Sequence, residues 1–369
     1  MAAAEQGFVR GLLGWYGRNK RDLPWRGATD PYAVWVSEIM LQQTTVGAVI
    51  PYYQRWLKRF PDIESLARAP LSRILKAWQG LGYYQRARNL RAAAKIVVER
   101  HGGRLPETEA DLRALPGFGQ YTTAAVASIA FGRRIPLVDA NVRRVLMRIF
   151  ELAGSAAARN DPALLERLAP LVPARRPGDF NQALMELGAL ICRPMNPACL
   201  RCPVRLDCLA FAAGRQEVIP APVRRSTRKL TAVVGIIERD GRILIQQRPS
   251  EGLLGGLWEF PGGKVRPGES LPAALARELA EEIGAGPKAV RPFMTVDHSY
   301  TRFRVTLHAF TCGLRTDPAP DRSWRWVRPA DLRKYPVPSG SARIVEKIIE
   351  SRRSGPARRA RPAGTGRSE

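Results

Sequence analysis

The segment LPGFGQYTTAAVASIAF, residues 115–131, places a Gly-x-Gly turn directly before a helix lined with small residues. Gly117 and Gly119 form this turn, which leaves backbone N–H groups exposed at a helix N-terminus, where a phosphate binds without any side chain. A tight helix–helix turn explains the same residues equally well. The segment therefore predicts two helices that meet sharply, with a backbone phosphate site as its functional interpretation.

The sequence around this turn is helical from residue 5 to about residue 213, because apolar residues recur at spacings of three and four. Residues 41–60 and 89–101 show this period best. Residues 214–229 are polar, basic and contain proline, which is typical of an interdomain linker. We therefore predict a helical domain over residues 1–213 and a linker over 214–229.

Strand signals replace the helical period in residues 230–350. Asp240 and Gly241 separate two β-rich runs, which predicts a hairpin. Residues 305–314 are a further strand candidate, while 274–284 and 339–350 are predicted helices. Residues 351–369 have almost nothing to bury, so they are predicted to form a disordered basic tail.

Composition limits the choice of partners and compartment. The 369 residues, 45% of them apolar, suffice for two cores. The formal charge of +26, from 59 basic and 33 acidic residues, favours a polyanionic partner, although arginine-rich usage also follows from genome base composition. The sequence contains neither an apolar run that would span a membrane nor a signal-peptide pattern. We therefore expect a cytoplasmic, nucleoid-associated protein.

Four of the five cysteines, Cys192, Cys199, Cys202 and Cys208, follow the pattern C-x6-C-x2-C-x5-C. In a reducing compartment such a cluster is more typical of metal binding than of disulfides. Four thiolates suit a [4Fe–4S] cluster, and structural zinc is the alternative. The spacing by itself does not decide between them.

Asp139 follows the turn by about twenty residues, at the predicted N-cap of a helix that carries Arg143, Arg144 and Arg148. A hairpin followed by an aspartate at this distance resembles the helix-hairpin-helix, Gly-Pro-Asp family of base-excision DNA glycosylases. The cysteine spacing resembles the cluster loop, here residues 192–208, of endonuclease III and the adenine DNA glycosylases. This resemblance implies [4Fe–4S] rather than zinc.

Three stretches resemble the adenine DNA glycosylases: WRGATDPYAVWVSEIMLQQTTV from residue 25, WQGLGYYQRARNL from 78 and FNQALMELGALIC from 180. The resemblance implies excision of adenine opposite 8-oxoguanine or guanine in double-stranded DNA. Glu38 would be the general acid, for which burial must raise its pKa, while Asp139 would stay ionised and stabilise the sugar cation. Asn141 would help to orient this centre.

Tyr121 occupies a position, two residues after the second glycine of the turn, where bifunctional relatives carry a nucleophilic lysine. The chain is therefore predicted to be monofunctional. The same residue argues against the alternative of an endonuclease III-like pyrimidine glycosylase.

Further DNA-binding and base-binding residues follow from the resemblance. Gln42 and Gln43 would enter the stack that the flipped adenine vacates, and Tyr83 or Tyr84 would be a wedge beside the opposite base. Trp25, Arg26 and Glu186 would lie near the adenine pocket. The alternative for the aromatic residues is an ordinary place in the core.

FPGGKVRPGESLPAALARELAEEIGA, residues 260–285, satisfies the pattern G-x5-E-x7-R-E-U-x-E-E-x-G-U, with Ala285 as a small last apolar residue. Glu278, Glu281 and Glu282 would share a helix face, which favours Mg²⁺ as their counter-ion, and Arg277 would pair with Glu269. The pattern resembles the Nudix box of MutT-type pyrophosphatases. It implies hydrolysis of 8-oxo-dGTP, with a box retained as mere scaffold as the alternative.

Adenine glycosylases often carry a Phe-Ser-His segment for lesion recognition, whereas this chain has Tyr300, Thr301 and Arg302. Tyr300 and Thr301 are the candidate residues at this place. The combined prediction is an all-α helix-hairpin-helix glycosylase domain with a [4Fe–4S] loop, followed by an α/β Nudix-fold domain with a mixed sheet, as a monomer. The alternatives are a cluster-bearing DNA-binding or redox-sensing protein, and a nucleotide pyrophosphatase as the main activity.

Overall fold

The computed structural model describes residues 3–28, 30–154, 161–221, 228–249, 252, 254–300, 303–318, 321 and 323–353. The chain forms two compact units, residues 1–225 and 226–369. Thr301, Arg302 and the predicted tail from residue 354 onward lie outside the described residues. In the described ranges, no helix combines the length and the apolar character that crossing a membrane requires.

The described part of the first unit is helical, as predicted. Its α-helices are α1 Ala3–Asn19, α2 Pro31–Leu41, α3 Val46–Arg59, α4 Ile63–Arg68, α5 Leu71–Trp78, α6 Gln85–His101, α7 Glu109–Ala114, α8 Gln120–Ala130, α9 Ala140–Ile149, α10 Asp161–Leu168, α11 Pro177–Leu190 and α12 Leu209–Ala212.

Residues 41–60 differ from the prediction, because α2 ends at Leu41 and α3 begins at Val46. Gln43 has φ 57°, a left-handed conformation that a helix does not contain, and Thr45 is in the extended N-cap position of α3. The apolar period continues across this loop because both helices pack on the same core. The chain therefore turns at the two glutamines that the sequence singled out.

Two groups of buried side chains hold the helices together. Trp56, Phe60 and Trp78 pack edge to face, with ring centroids 4.9 and 5.4 Å apart. A second core joins α1, α8, α9 and α11 through apolar residues such as Leu12 and Leu146. Small side chains on α8 let α11 approach closely.

The second unit contains strands β1 Arg228–Arg239, β2 Arg242–Gln247, β3 Trp258–Glu259, β4 Gly262–Lys264, β5 Pro287–Tyr300, β6 Phe303–Leu314 and β7 Trp324–Val327, with helices α13 Leu271–Ile283 and α14 Ser339–Arg353. The sheet order is β3-β2-β1-β6-β5, while β4 pairs with β1 and β7 with β2. Strands β1 and β6 are parallel and the other pairs are antiparallel. The sheet is mixed, as predicted.

The hairpin predicted at Asp240 and Gly241 is confirmed, because Arg239 pairs with Arg242 across it. Both turn residues have positive φ, 49° and 70°, as a two-residue hairpin turn requires. Strand β1 begins at Arg228, inside the stretch predicted as linker, because its first residues pair with β6 from Phe303 onward. Our proposed linker therefore shortens at its C-terminal end.

Alternation along β1 builds a core on each face of the sheet. Val234 and Ile236 face α14, whereas Val233 and Ile237 face α13. Helix α13 contributes apolar residues such as Leu279 to one core, so its glutamates are left outside that core. The fold thus fixes the rotation of the helix that carries the glutamate pattern.

Gly178 on α11 provides a test of the packing against α8. A Cβ atom here would lie 2.5 Å from the Ser128 carbonyl oxygen and 2.7 Å from Ile129 Cα, both backbone atoms. We expect Gly178→Ala to lower the free energy of unfolding by about 1–3 kcal/mol through overpacking. The measurement is guanidinium unfolding followed by far-ultraviolet circular dichroism.

The matched control is Gly7→Ala in α1, where a Cβ would meet nothing within 4 Å. This change should raise the free energy of unfolding by about 0.5–1 kcal/mol, because alanine loses less entropy in a helix. Equal stability of the two variants would contradict the close approach of α11 to α8.

Candidate active site

A cavity of about 220 Å³ in the first unit brings together residues that are distant in the sequence. Glu38 on α2, Tyr121 on α8 and Glu186 on α11 line it, together with Asp139, the N-cap residue of α9. The cavity is large enough for one nucleobase. Three carboxyl groups, those of Glu38, Asp139 and Glu186, therefore face a single small space.

Glu38 is buried because α2 is covered on every side: residues 32–40 are all buried. The Tyr121 hydroxyl donates a hydrogen bond to Glu38 Oε2 over 2.7 Å. Burial raises the pKa of Glu38 to about 7, since the hydrogen bond from Tyr121, which lowers it, offsets only part of this effect, and the charge of Asp139 raises it further. The raised pKa that the sequence predicts for Glu38 is confirmed.

Asp139 has both carboxylate oxygens engaged by groups of its own helix. Its Oδ1 accepts a hydrogen bond from the Val142 backbone N–H over 2.6 Å, and Oδ2 accepts one from Asn141 Nδ2 over 3.2 Å. The predicted N-cap is confirmed. Burial is the largest influence and raises the pKa of Asp139 above its usual value, while these hydrogen bonds, which favour the ionised form, offset only part of this effect.

Glu186 is buried on α11 and is held by two arginines. Arg21 donates to it from Nε over 2.7 Å and from Nη2 over 3.0 Å, and Arg26 Nη2 donates over 2.6 Å. Although burial is the largest single influence and raises its pKa, the bonds from Arg21 and the charge of Arg26 outweigh it and lower the pKa of Glu186. Glu186 is therefore a fixed anion that orients both guanidinium groups.

Three residues of this network were not singled out from the sequence: Arg21, Gln182 and Tyr16. Arg26 Nη1 donates to Gln182 Oε1 over 3.0 Å and to the Tyr16 hydroxyl. Tyr16 comes from α1 and Gln182 from α11, so no local motif joins them to Arg26. The position of Gln182 one helical turn before Glu186 was the available signal.

Trp25 lines the cavity beside Arg26, and its ring packs edge to face on Tyr53 with centroids 5.3 Å apart. Gln42 and Gln43 do not line the cavity but follow directly after α2. Gln42 Nε2 donates to Thr122 Oγ1 over 3.0 Å, whereas Gln43 is exposed at the loop. The two glutamines therefore differ, since Gln43 projects while Gln42 is tied to α8.

Tyr83 and Tyr84, the two candidates for the wedge residue beside the opposite base, also differ. Tyr84 is completely buried, so it cannot reach DNA, and that alternative is wrong. Tyr83 is half-buried with φ 47°, in the turn between α5 and α6. The structure leaves Tyr83 as the wedge candidate.

The Gly-x-Gly turn leads into α8 as predicted. Gly117 has φ 83°, and a Cβ there would lie 2.9 Å from Asn89 Cβ. Gly119 is the N-cap of α8, makes no side-chain capping bond, and has open space where a side chain would stand. The first N–H groups of α8 therefore adjoin an open surface, which suits a phosphate.

All four cysteines of residues 192–208 line one cavity, beside Arg148 and Val145 of α9. Among the residues described, no group of three His, Cys, Asp or Glu side chains forms a metal site. The donor set nevertheless fits a cluster, because four sulfurs face a largely apolar space and Arg148 Nη1 lies 3.3 Å from Cys192 Sγ. A guanidinium there would stabilise the negative charge of a thiolate-bound cluster.

Arginines of α9 connect this loop to the first cavity. Arg144 Nη2 donates to Asn141 Oδ1 over 3.0 Å and to the Gly188 carbonyl over 2.7 Å, while its Nε donates to the Cys192 carbonyl over 2.7 Å. Arg148 donates to the carbonyls of Arg193 and Ile219, both over 2.7 Å. The cysteine loop and Asp139 are therefore attached to one rigid helix.

In the second unit, the predicted pairing of Arg277 with Glu269 is confirmed at 2.8 and 2.9 Å. Arg277, with Arg266, holds the pKa of Glu269 at about 2. Arg277 also contacts Glu278 and Glu281, at 2.8 and 3.2 Å. The loop after β4 is thus fastened to α13.

Glu282 differs from its two neighbours because it turns toward the sheet. Its Oε2 accepts hydrogen bonds from Gln246 Nε2 over 2.7 Å and from the Gly262 backbone N–H over 2.9 Å, and burial raises its pKa. A cavity of about 630 Å³ lies alongside, lined in part by Gly262, Gly263 and Lys264. Glu278, Glu281 and Glu282 do not line this cavity, and Glu282 is connected to it through Gly262.

Tyr300 is the last residue of β5, where its backbone pairs with Phe303 of β6. Thr301 lies outside the described residues. Of the predicted recognition residues, Tyr300 is therefore placed at the C-terminal end of β5.

Comparison with known proteins identifies the relatives of both units. Residues 36–170 match the family model described as HhH-GPD superfamily base excision DNA repair protein, and residues 232–347 match that of the NUDIX domain. The adenine DNA glycosylase of Homo sapiens is 38% identical over 83% of this chain and 67% of its own length, and that of Mus musculus is 36% identical over 94% and 79%.

A solved thermostable thymine-DNA glycosylase is similar to the first unit, with 36% identity and a TM-score of 0.53 over 57% of this chain and 97% of its own. The two adenine DNA glycosylases are more than 30% identical to this chain over at least two thirds of their own length, which establishes common ancestry. The chain belongs to the adenine DNA glycosylase family, as a DNA glycosylase of the helix-hairpin-helix superfamily with a C-terminal Nudix domain.

Proposed function

We propose that this chain is a monofunctional adenine DNA glycosylase of base-excision repair that removes adenine opposite 8-oxoguanine or guanine in duplex DNA. The observation that carries this proposal is a single cavity that holds a buried carboxyl with a pKa of about 7 and a second carboxylate stabilised by hydrogen bonds. One group is suited to donate a proton and the other to face a cation.

The reaction assigns one step to each carboxyl group. Glu38 transfers its proton to a ring nitrogen of the flipped adenine, and the electron pair of the N-glycosidic bond leaves with the base. The deoxyribose becomes an oxocarbenium ion, which the Asp139 carboxylate stabilises across the cavity. Water then adds to the sugar carbon and gives its proton to a carboxylate, so an abasic site and free adenine are the products.

The adenine would be held by the network beside Glu38. Trp25 provides a flat apolar wall, while Arg26 and Gln182 provide polar groups that Glu186 keeps in place. Polar groups that are held in fixed positions favour hydrogen bonds to one edge of a purine base. Asn141 orients Asp139 through the 3.2 Å hydrogen bond.

Hydrolysis without strand cleavage follows from Tyr121. A lyase needs an amine that forms a Schiff base with the sugar, and Tyr121 offers a hydroxyl that is already bonded to Glu38. We therefore assign Tyr121 to the acid rather than to nucleophilic attack.

Cys192, Cys199, Cys202 and Cys208 would hold a [4Fe–4S] cluster, whose contribution when bound is to stabilise their loop. The chain's own part is the attachment of that loop to α9 through Arg144 and Arg148. The turn at Gly117 and Gly119 would bind a DNA phosphate. Gln43 and Tyr83, with Gln42 behind them, would enter the stack, and Tyr300 and Thr301 would take part in reading the opposite base.

A second activity, hydrolysis of 8-oxo-dGTP to the monophosphate and pyrophosphate, is favoured by the complete glutamate pattern, whose preceding residues Gly262, Gly263 and Lys264 line a cavity of about 630 Å³. Glu278, Glu281 and Glu282 would hold Mg²⁺, which would polarise the pyrophosphate and activate water when bound. Arg277 shapes the loop for this purpose through Glu269.

Replacing Glu38 with Gln removes the proton donor and keeps the volume of the side chain. We expect single-turnover excision of adenine opposite 8-oxoguanine to fall by about 10²–10⁴-fold, because general acid catalysis contributes this much. Duplex affinity, measured by fluorescence anisotropy, should change little. The control Glu107→Gln, in an exposed pair with Arg133, should keep full activity, and an active Glu38→Gln enzyme would refute the assignment.

The pH dependence tests the same group. Excision requires protonated Glu38, so the single-turnover rate should be level below pH 7 and fall about tenfold per pH unit above it. Tyr121→Phe removes the hydrogen bond that favours the carboxylate, which raises the pKa of Glu38 further. We expect the alkaline limb to move to higher pH in this variant. A limb that stays in place or moves down would contradict the role of Tyr121.

Glu281→Gln tests the second activity in the full chain with Mg²⁺. We expect pyrophosphate release from 8-oxo-dGTP to fall by about 10²-fold or more while adenine excision stays at the original rate. Glu346→Gln, which removes an exposed carboxylate elsewhere in the same unit, is the control. Absence of hydrolysis in the unchanged chain would assign the glutamate pattern to a scaffold.

A further inference from the structure

Arg86, the second residue of α6, has six oxygen atoms within hydrogen-bond distance of its two Nη atoms, which lie at the end of α2, in the loop after it and in the turn before α6. Nη1 donates to the carbonyls of Ile39, Met40 and Gln42, and Nη2 to those of Leu81 and Gly82 and to Thr44 Oγ1, over distances of 2.6–3.3 Å. All six acceptors are carbonyl or hydroxyl oxygens. Burial lowers the pKa of Arg86 to about 10, so it remains a cation at neutral pH.

Three of these acceptors are carbonyl oxygens at the C-terminal end of α2. Such carbonyls have no partner within their own helix and carry the negative end of the helix dipole. A guanidinium at this position donates hydrogen bonds to these carbonyls and also places a positive charge at the negative end of the dipole. Arg86 therefore fixes the end of the helix that carries Glu38, at the point where the chain leaves it toward Gln43.

Two further acceptors, the carbonyls of Leu81 and Gly82, belong to the turn that precedes α6. The Gly82 carbonyl receives Arg86 Nη2 and also Trp78 Nε1, the latter over 2.9 Å. The guanidinium carbon lies 5.2 Å from the Trp78 ring centroid and 5.6 Å from that of Tyr83. Arg86 thus contacts both the backbone before Tyr83 and the face of its ring.

Both loops contain a residue in an unfavourable backbone conformation. Gln43 has φ 57° and Tyr83 has φ 47°, values that residues with side chains adopt when the surroundings impose them. Arg86 contacts the immediate neighbours of both. The two loops that carry the stack-entering candidates are therefore joined by one side chain.

We propose that Arg86 is a positioning residue that sets the Gln43 loop and the Tyr83 turn at a fixed separation before DNA binds. The inference rests on the proposed function and adds a residue that touches neither the adenine nor the carboxyl groups. Its physical basis is preorganisation: binding energy that would order two loops is instead available to extrude the base. Lysine cannot replace Arg86, because a single ammonium group cannot reach acceptors that are spread around the two Nη atoms of a planar guanidinium group.

The test compares Arg86→Gln and Arg86→Lys with Arg91→Gln in the full chain. Arg91 lies on the same helix and donates a hydrogen bond from Nε to the Ala69 carbonyl over 2.8 Å. Arg91→Gln therefore removes a charge and a hydrogen bond to the backbone, as Arg86→Gln does, but at a place away from the two loops. The duplex carries 2-aminopurine, a fluorescent adenine analogue, opposite 8-oxoguanine. Its fluorescence rises on unstacking, which reports extrusion separately from chemistry. Single-turnover excision of adenine and its pH profile are measured in parallel.

We expect both Arg86 variants to lose the fluorescence rise and the excision rate by at least about tenfold, with Arg91→Gln unaffected. Duplex affinity should change less than threefold, and the alkaline limb of the pH profile should stay in place, because Glu38 keeps its surroundings. A general loss of structure would instead shift the limb or abolish binding.

Unchanged extrusion in the Arg86 variants, or an equal loss in Arg91→Gln, would overturn the proposal. Full activity of Arg86→Lys would overturn the argument from the planar fork. If the unchanged chain extrudes 2-aminopurine but excises no adenine, the proposed function fails while the role of Arg86 stands.

Discussion

The removal of the Glu38 carboxyl from water is the constraint on which the catalytic unit depends. A carboxyl on an exposed helix would be ionised at neutral pH and could not act as an acid. Here nine consecutive residues of α2 are buried, so the helix must be enclosed by its neighbours, and the Tyr121 hydroxyl is the polar group placed against Glu38. The packing of the helical core therefore determines the proton affinity of Glu38, on which the proposed role of this residue as an acid depends.

At the N-terminus of α9, hydrogen bonds offset part of the effect of burial on a second carboxyl group. Asp139 caps the helix, and the backbone N–H of Val142 together with Asn141 stabilises its negative charge. Further along the same helix, Arg144 extends the network to the carbonyl of Cys192. One short helix thereby links the capping carboxylate to the cysteine loop, so a displacement of that loop would act on the orientation of Asp139.

Local sequence patterns predicted several contacts whose partners lie close together in the sequence. The hairpin at Asp240, the cap at Asp139 and the bond between Arg277 and Glu269 are of this kind. The contacts of Gln182 with Arg26, and the burial of Tyr84, depend on how helices from distant segments pack. No periodicity contains that information, because it distinguishes a buried face from an exposed one but not which neighbour covers it.

The two units surround their carboxyl groups in contrasting ways. Burial raises the pKa of Glu38 to about 7, so this carboxyl holds a proton far more readily than an exposed one would. Glu278 and Glu281 instead lie against cationic side chains, because Arg277 and Arg266 contact them. A proton donor needs a closed cavity, whereas a hard divalent cation requires several carboxylate oxygens at one place. A scaffold alone would need only the ion pair between Arg277 and Glu269, so the additional carboxylates of Glu278 and Glu281 beside it favour the proposal of a separate chemistry in this unit.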